Sequence, residues 1–177
     1  MPRTRVYLPV TGADLTTLQR ERSLPGPRPA CAVTRALEQS QKGAEEEELE
    51  YLALQQAAQG AVSAAAEAGE PVVVAAADVE PEDVDGVDMP AAKLPAGRLA
   101  CSVTVSAPVR LARVASFHLG DGIAEVPDSE AAVSGAAVSG AAVSGADSDT
   151  VQEIEERELS WYDVTELPTL VDLVTRG

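Results

Sequence analysis

The run "EPVVVAAADVE", residues 70–80, constrains the fold more than any other stretch of the chain. Strand side chains alternate between two faces, so six consecutive apolar residues, Val72 to Ala77, leave neither face fit for water. A strand of this kind is central in a sheet and needs covering layers on both sides. Half of the six are alanine, and aromatic residues make up only 3% of the chain against 45% hydrophobic residues overall. Any core is therefore built from small side chains, and small side chains fill space only if backbones approach closely.

Other elements follow from periodicity and punctuation. In "RVYLPV", residues 5–10, Val6, Leu8 and Val10 share one face and Tyr7 takes the other, the period of a half-buried strand. Pro9 donates no ladder hydrogen bond, so that strand lies at an edge or turns Pro9 toward an unpaired side. Thr11 or Asp14 caps a helix carrying Leu15 and Leu18, and "SLPGPRP" ends it. "ACAVT" is a short strand, with Thr34 capping the helical turn that follows. The longest helix is expected over residues 44–68, where Glu45 to Glu48 complement the positive end of the helix dipole. Its inward stripe is Leu49, Leu52, Ala53, Ala57, Gly60, Ala61, Ala64 and Ala65, with Gly60 letting the helix lie close on a sheet. Two strand segments with a break near residues 106–108 account for residues 99–122. A strand over Leu159 to Val164, a cap at Thr165 and a helix carrying Leu167, Leu170, Val171 and Val174 complete the order.

Helices interleaved with a mixed or antiparallel sheet place the chain in the α+β class, with a ferredoxin-like sandwich as the expected arrangement and a mixed α/β sheet as the alternative. At 177 residues, one domain over 1–177 is expected, because domains run to roughly 100–200 residues. Residues 121–150 form a low-complexity insertion or flexible loop. Within it, "AAVSG" is written three times. As a helix, each copy would be turned by about 140° from the last, and as a strand an odd period would flip alternate copies, so neither geometry builds one face.

Charge is blocked along the sequence. Residues 1–42 carry seven basic and three acidic side chains, 43–90 none and thirteen, 91–113 four and none, and 114–177 two and thirteen, for a net −16. Nonspecific nucleic-acid binding needs a basic surface, so no nucleic-acid partner is expected. The first ten residues lack the apolar segment of a signal peptide, and no stretch approaches the roughly 18 apolar residues of a membrane span. A cytoplasmic protein without membrane contact is expected. Cys31 and Cys101 lie 70 positions apart, without metal-ligand or redox spacing, and read as free buried thiols. Two cysteines and the single His118 cannot supply a structural zinc site, so neither metal nor cofactor is expected. Asp83, Asp85, Gly86 and Asp88 resemble a calcium loop, but starting from Asp83 the glycine falls at the fourth position and the twelfth is Leu94, which breaks the pattern.

Phosphate-loop, dinucleotide, nucleophile-elbow and zinc-protease signatures are all absent. Two functional readings remain. One is a noncatalytic binding or protein-interaction domain with a protein partner. The other is a small-anion-binding protein or enzyme whose site gathers Arg5, Arg110, Arg113 and His118 near adjoining strand ends, with arginines clamping a phosphate or carboxylate. Trp161 and Tyr162 alternate faces, so one anchors the core while the other covers a helix or lines a cleft.

The segments "RVYLPVT", "EEELEYLAL", "LARVASFHL" and "ELSWYDVTELP" together resemble a family of uncharacterised small actinobacterial proteins, known as a domain of unknown function. The resemblance spans most of the chain outside residues 121–150. It implies a bacterial cytoplasmic protein, in line with the arginine, alanine, glycine and valine excess of GC-rich coding, and brings no activity, cofactor or site.

Because the repeat has no consistent face to bury, removal of Ala131 to Gly145 is expected to change folding stability by less than about 1 kcal/mol. Thermal unfolding of the deletion variant measures this directly.

Overall fold

The computed structural model describes residues 2–121 and 159–176. The sheet is built around two long strands, β1 (Thr4–Val10) and β4 (Val73–Val79), paired antiparallel over seven residue pairs from Thr4↔Val79 to Val10↔Val73. Between and beyond them in sequence come α1 (Gly12–Glu21), β2 (Ser23–Leu24), β3 (Arg28–Ala32), α2 (Arg35–Ser40), α3 (Glu46–Ala68), β5 (Val84–Asp85), β6 (Ser102–Val105), β7 (Val109–Arg110), β8 (Val114–Leu119), β9 (Ser160–Asp163) and α4 (Leu167–Arg176). Seven strands form one sheet in the order β5-β6-β3-β1-β4-β8-β9, every pair antiparallel, and β2 and β7 form a separate two-stranded ribbon.

Both faces of the sheet are covered, as the apolar run of β4 requires. On one face Val6, Leu8 and Val10 of β1 and Val73, Ala75, Ala77 and Val79 of β4 pack against Leu15 and Leu18 of α1 and Leu167, Leu170, Val171 and Val174 of α4. On the other, Tyr7, Val74 and Ala76 meet Leu49, Ala53, Ala57, Ala61 and Ala65 of α3. The fold is α+β with an antiparallel sheet, but its layering departs from a ferredoxin-like sandwich. There the helices share one face; here α3 takes one side and α1 with α4 the other, because neither face of β4 carries a polar residue over Val73 to Ala77.

The local chemistry explains the element ends. Thr11 and Asp14 form a reciprocal cap at the start of α1, with Asp14 N–H donating to Thr11 Oγ1 at 3.2 Å and Thr11 N–H donating to Asp14 Oδ2 at 3.1 Å. Thr34 caps α2 by accepting from Leu37 N–H at 3.1 Å. Glu48 accepts from Glu45 N–H at 3.0 Å at the start of α3, and Gly69 ends that helix at φ 67°, a conformation that favours glycine. The cap before α4 differs from the expected Thr165: Asp163 accepts from the N–H of Thr165 at 2.8 Å and holds a short 3-10 turn, Val164–Glu166, that leads into the helix.

β1 is central, and of the two expected placements of Pro9 it takes the second, because the β1–β3 register covers only Val6↔Ala32 and Tyr7↔Cys31 and leaves Pro9 an unpaired flank. Two further differences have physical causes. The stretch 99–122 yields three strands in two sheets, since Leu111–Arg113 form a 3-10 turn between β7 and β8. Beyond that turn a bulge at Ala115, with Ala76 opposite Ser116 and Ala77 opposite Val114, puts both Val114 and Phe117 into the same core. Finally, Gly60 does not allow a close approach to the sheet: a Cβ there would meet nothing within 4 Å. The close approach occurs at the alanines of α3 instead.

Ala53, fully buried, and Gly60, facing open space, should therefore respond oppositely to added side chain. Chemical denaturation is expected to give a loss of about 1–3 kcal/mol for Ala53→Leu. Gly60→Ala is expected to gain up to about 1 kcal/mol from helix propensity.

Candidate functional site

The four residues expected to form a site fall into two groups. Arg5 and His118 lie on the α3 side of the sheet. Arg5 shares its side of β1 with Tyr7, while His118 and Ser116 alternate with Phe117 of the opposite core on β8. Arg110 and Arg113 line a separate cavity of about 450 Å³ with Glu80, Asp83 and Pro108, beside the β2–β7 ribbon.

Among the described residues, four arginines are met by carboxylates across the fold. Arg5 stands opposite Asp78 in the β1–β4 ladder and donates two hydrogen bonds to its carboxylate, at 2.7 and 2.9 Å. Those bonds hold the Asp78 carboxyl below its usual range against a weaker opposing effect of burial. Arg113 donates to Glu80 at 2.8 Å, and Arg3 approaches the same oxygen at 3.7 Å. Arg28 grips Asp14 bidentately at 2.8 and 2.6 Å. Burial raises the Asp14 carboxyl, but Arg28 together with the backbone and hydroxyl of Thr11 outweighs that and lowers it. An incoming anion at Arg5, Arg28 or Arg113 would have to displace a carboxylate already in place. Arg110 is exposed, but the cavity it lines also contains Glu80 and Asp83.

On the outer half of the α3-side face, a polar row crosses the last two strands. Ser116 stands opposite Asp163 and His118 opposite Trp161, with Ser116 Oγ 3.2 Å from His118 Nε2. A serine beside a histidine is the start of a nucleophilic pair, but two features argue against that chemistry. Ser116 is only 7% exposed. Burial, and secondarily the Arg5 charge, lowers the pKa of His118, disfavouring the imidazolium that a general base must become. Tyr7, beneath α3, is pushed up to about 12 by burial and by the nearby Glu50.

Two features escaped the sequence reading. Trp161, on the outer strand β9, is 61% exposed, while its neighbour Tyr162 packs against the α1/α4 core. The sequence shows the alternation but not which face lacks a cover. Cys31 and Cys101, 70 positions apart, are brought together in the α3-side core with their sulfurs 2.8 Å apart, both thiols free. The hydrogen bond between them, with burial, pushes the Cys31 thiol up, and the same bond lowers that of Cys101. Beside them is a second cavity, of about 370 Å³, walled by Cys31, Gln56, Gly60, Ala64, Arg28 and Leu99.

Among the described residues no three His, Cys, Asp or Glu side chains gather to hold a metal ion, and no helix is long and apolar enough to cross a membrane. The molecule is thus an α+β protein in which Arg5, Arg28 and Arg113 are held by carboxylates and whose polar row ends at an exposed tryptophan. The chain belongs to DUF6912, a family of unknown function whose model matches residues 4–171. No curated protein and no solved structure matches it.

The lowered pKa of His118 has a measurable consequence. Protonation favours the unfolded chain, so the stability this residue contributes is complete above its unfolded value of about 6.5 and is lost as pH falls through the lower folded value. The paired carboxylates act only in a more acidic range, because their ordinary values lie near 4 and Asp14 and Asp78 lie lower. His118→Gln should therefore lose less melting temperature than the parent between pH 7 and pH 5. Equal losses would assign the acid sensitivity to other groups.

Proposed function

We propose that this protein is a noncatalytic, cytoplasmic protein-interaction domain that engages a basic partner through β9 and the surface around Trp161. The observation that carries this reading is the exposure of Trp161, the chain's single tryptophan, at 61% on the outermost strand of the sheet. An exposed tryptophan gains more than most side chains from burial at an interface, and an edge strand offers backbone groups for pairing. The partner's charge follows from the chain's own. Net −16 with Arg5, Arg28 and Arg113 already paired leaves a surface that attracts cations and repels phosphate backbones, so a nucleic acid is disfavoured. Against catalysis stand the buried Ser116 and a histidine whose protonation is disfavoured.

The small-anion reading retains one supporting observation, the exposed Arg110 on a cavity of about 450 Å³, and is weakened by the two carboxylates that share it.

Affinity capture from a native lysate, run beside Trp161→Ala, tests the proposal. The expected result is a stoichiometric basic partner, retained by the parent, released by rising salt and lost from the variant while its melting temperature stays unchanged. Capture that ignores the substitution would overturn the role of Trp161, and saturable thermal stabilisation by phosphate or a small carboxylate that Arg110→Ala abolishes would replace this reading with the anion-binding one.

A further inference from the structure

We propose that Cys31 and Cys101 form a reversible dithiol–disulfide couple, oxidised by small hydroperoxides that reach it through the cavity under α3. The geometry rests on chain pairing rather than on sequence spacing. Cys31 stands opposite Ser102 in the β3–β6 ladder, and Cys101 immediately precedes that serine, with its carbonyl accepting from Ala32 N–H at 2.9 Å. The two residues thus occupy adjacent positions on neighbouring strands, within the span of a disulfide. Their sulfurs meet in the same apolar cluster, 2.8 Å apart, and no other thiol exists in the chain to compete. Linking β3 to the chain entering β6 joins segments already hydrogen-bonded, so both redox states fit one fold.

Access is the second, independent observation. Both cysteines are buried, at 6% and 1% exposed, yet Cys31 forms part of the wall of the cavity of about 370 Å³. Gly60 lies on the helix side of that cavity and contributes no side chain, and an added Cβ would meet nothing within 4 Å. The exposed glycine that has no packing role in α3 thus leaves the helix-side rim of the cavity open.

The chemistry balances with a hydroperoxide as oxidant. A thiolate of the pair attacks hydrogen peroxide: an S–O bond forms, the O–O bond breaks, and the departing hydroxide takes up the proton released on ionisation and leaves as water. The neighbouring sulfur then attacks the sulfenic sulfur, the S–S bond forms, the S–O bond breaks, and the second oxygen leaves as water with that thiol's proton. Two thiols lose two electrons and one peroxide becomes two waters. The hydrogen bond between the sulfurs lowers the Cys101 thiol, so Cys101 supplies the thiolate that the first step needs, its sulfur 2.8 Å from that of Cys31 at the cavity wall.

The test uses the full chain, reduced, treated with hydrogen peroxide, quenched, unfolded and counted for thiols with a maleimide, alongside intact mass. The expected result is two reactive thiols before treatment and none after, a monomer lighter by two hydrogen atoms, and full recovery with dithiothreitol. Cys31→Ser should instead gain oxygen at Cys101 and form no internal bridge. Gly60→Leu, which adds a side chain at the rim of the cavity, should slow thiol loss several-fold while unfolding at no lower temperature than the parent. Retention of both thiols, oxidation to sulfinic acid, or disulfide-linked dimers in the parent would overturn the couple. Unchanged oxidation of Gly60→Leu would overturn the route through the cavity.

Discussion

The rest of the structure depends on the β1–β4 ladder. Its seven antiparallel pairs run through the middle of the sheet, and alternation sends Val6, Leu8, Val10, Val73, Ala75 and Ala77 to one side and Tyr7, Val74 and Ala76 to the other. Antiparallel sheets commonly leave one face to water; this one cannot, because neither side of the ladder offers a polar surface there. The helices are placed by that demand. α3 supplies a row of alanines that settles on Tyr7, Val74 and Ala76, and α1 and α4 close the opposite side with leucines and valines. With Phe117 the only phenylalanine, the small residues of both layers take the place of aromatic bulk through proximity.

The same ladder organises the charge. Arg5 and Asp78 are directly opposite, so the sheet register itself makes a bidentate ion pair, and the bend of chain after β4 brings Glu80 to Arg113 and Arg3. The basic blocks of the sequence are thereby set against its acidic blocks. On the first turn of α3, Glu46, Glu47 and Glu48 are exposed and also complement the helix dipole. Of the cations expected to form an anion site, Arg5 and Arg113 are held by carboxylates and Arg110 shares its cavity with Glu80 and Asp83.

Local order along the chain carried a great deal. The two faces of β1, the Thr11 and Thr34 caps, the α3 boundaries to within two residues at its start, and all four buried residues of α4 follow from periodicity and capping, because those are decided by neighbours within a few positions. The two-residue strands β2 and β5 are not legible, since strands so short carry no period of their own and exist only through their partners, and β7 is legible only as the start of one strand continuous with β8. Gly60 shows the same limit from another side. Its position on the stripe of α3 is a matter of helical angle, but whether that angle meets a sheet or a cavity depends on what lies across from it.

The candidate site divides along the same line. The sequence by itself determined that no known catalytic or metal-binding signature is present, that Trp161 and Tyr162 face opposite ways, and that both cysteines sit in apolar surroundings. Each of these needs only composition or alternation. Tertiary structure alone decided that Arg5 and His118 part company with Arg110 and Arg113, that Trp161 rather than Tyr162 is left uncovered, and that thiols 70 residues apart touch. Each of those depends on strand order and on which helix covers which face, and these are fixed by contacts between segments far apart in the chain.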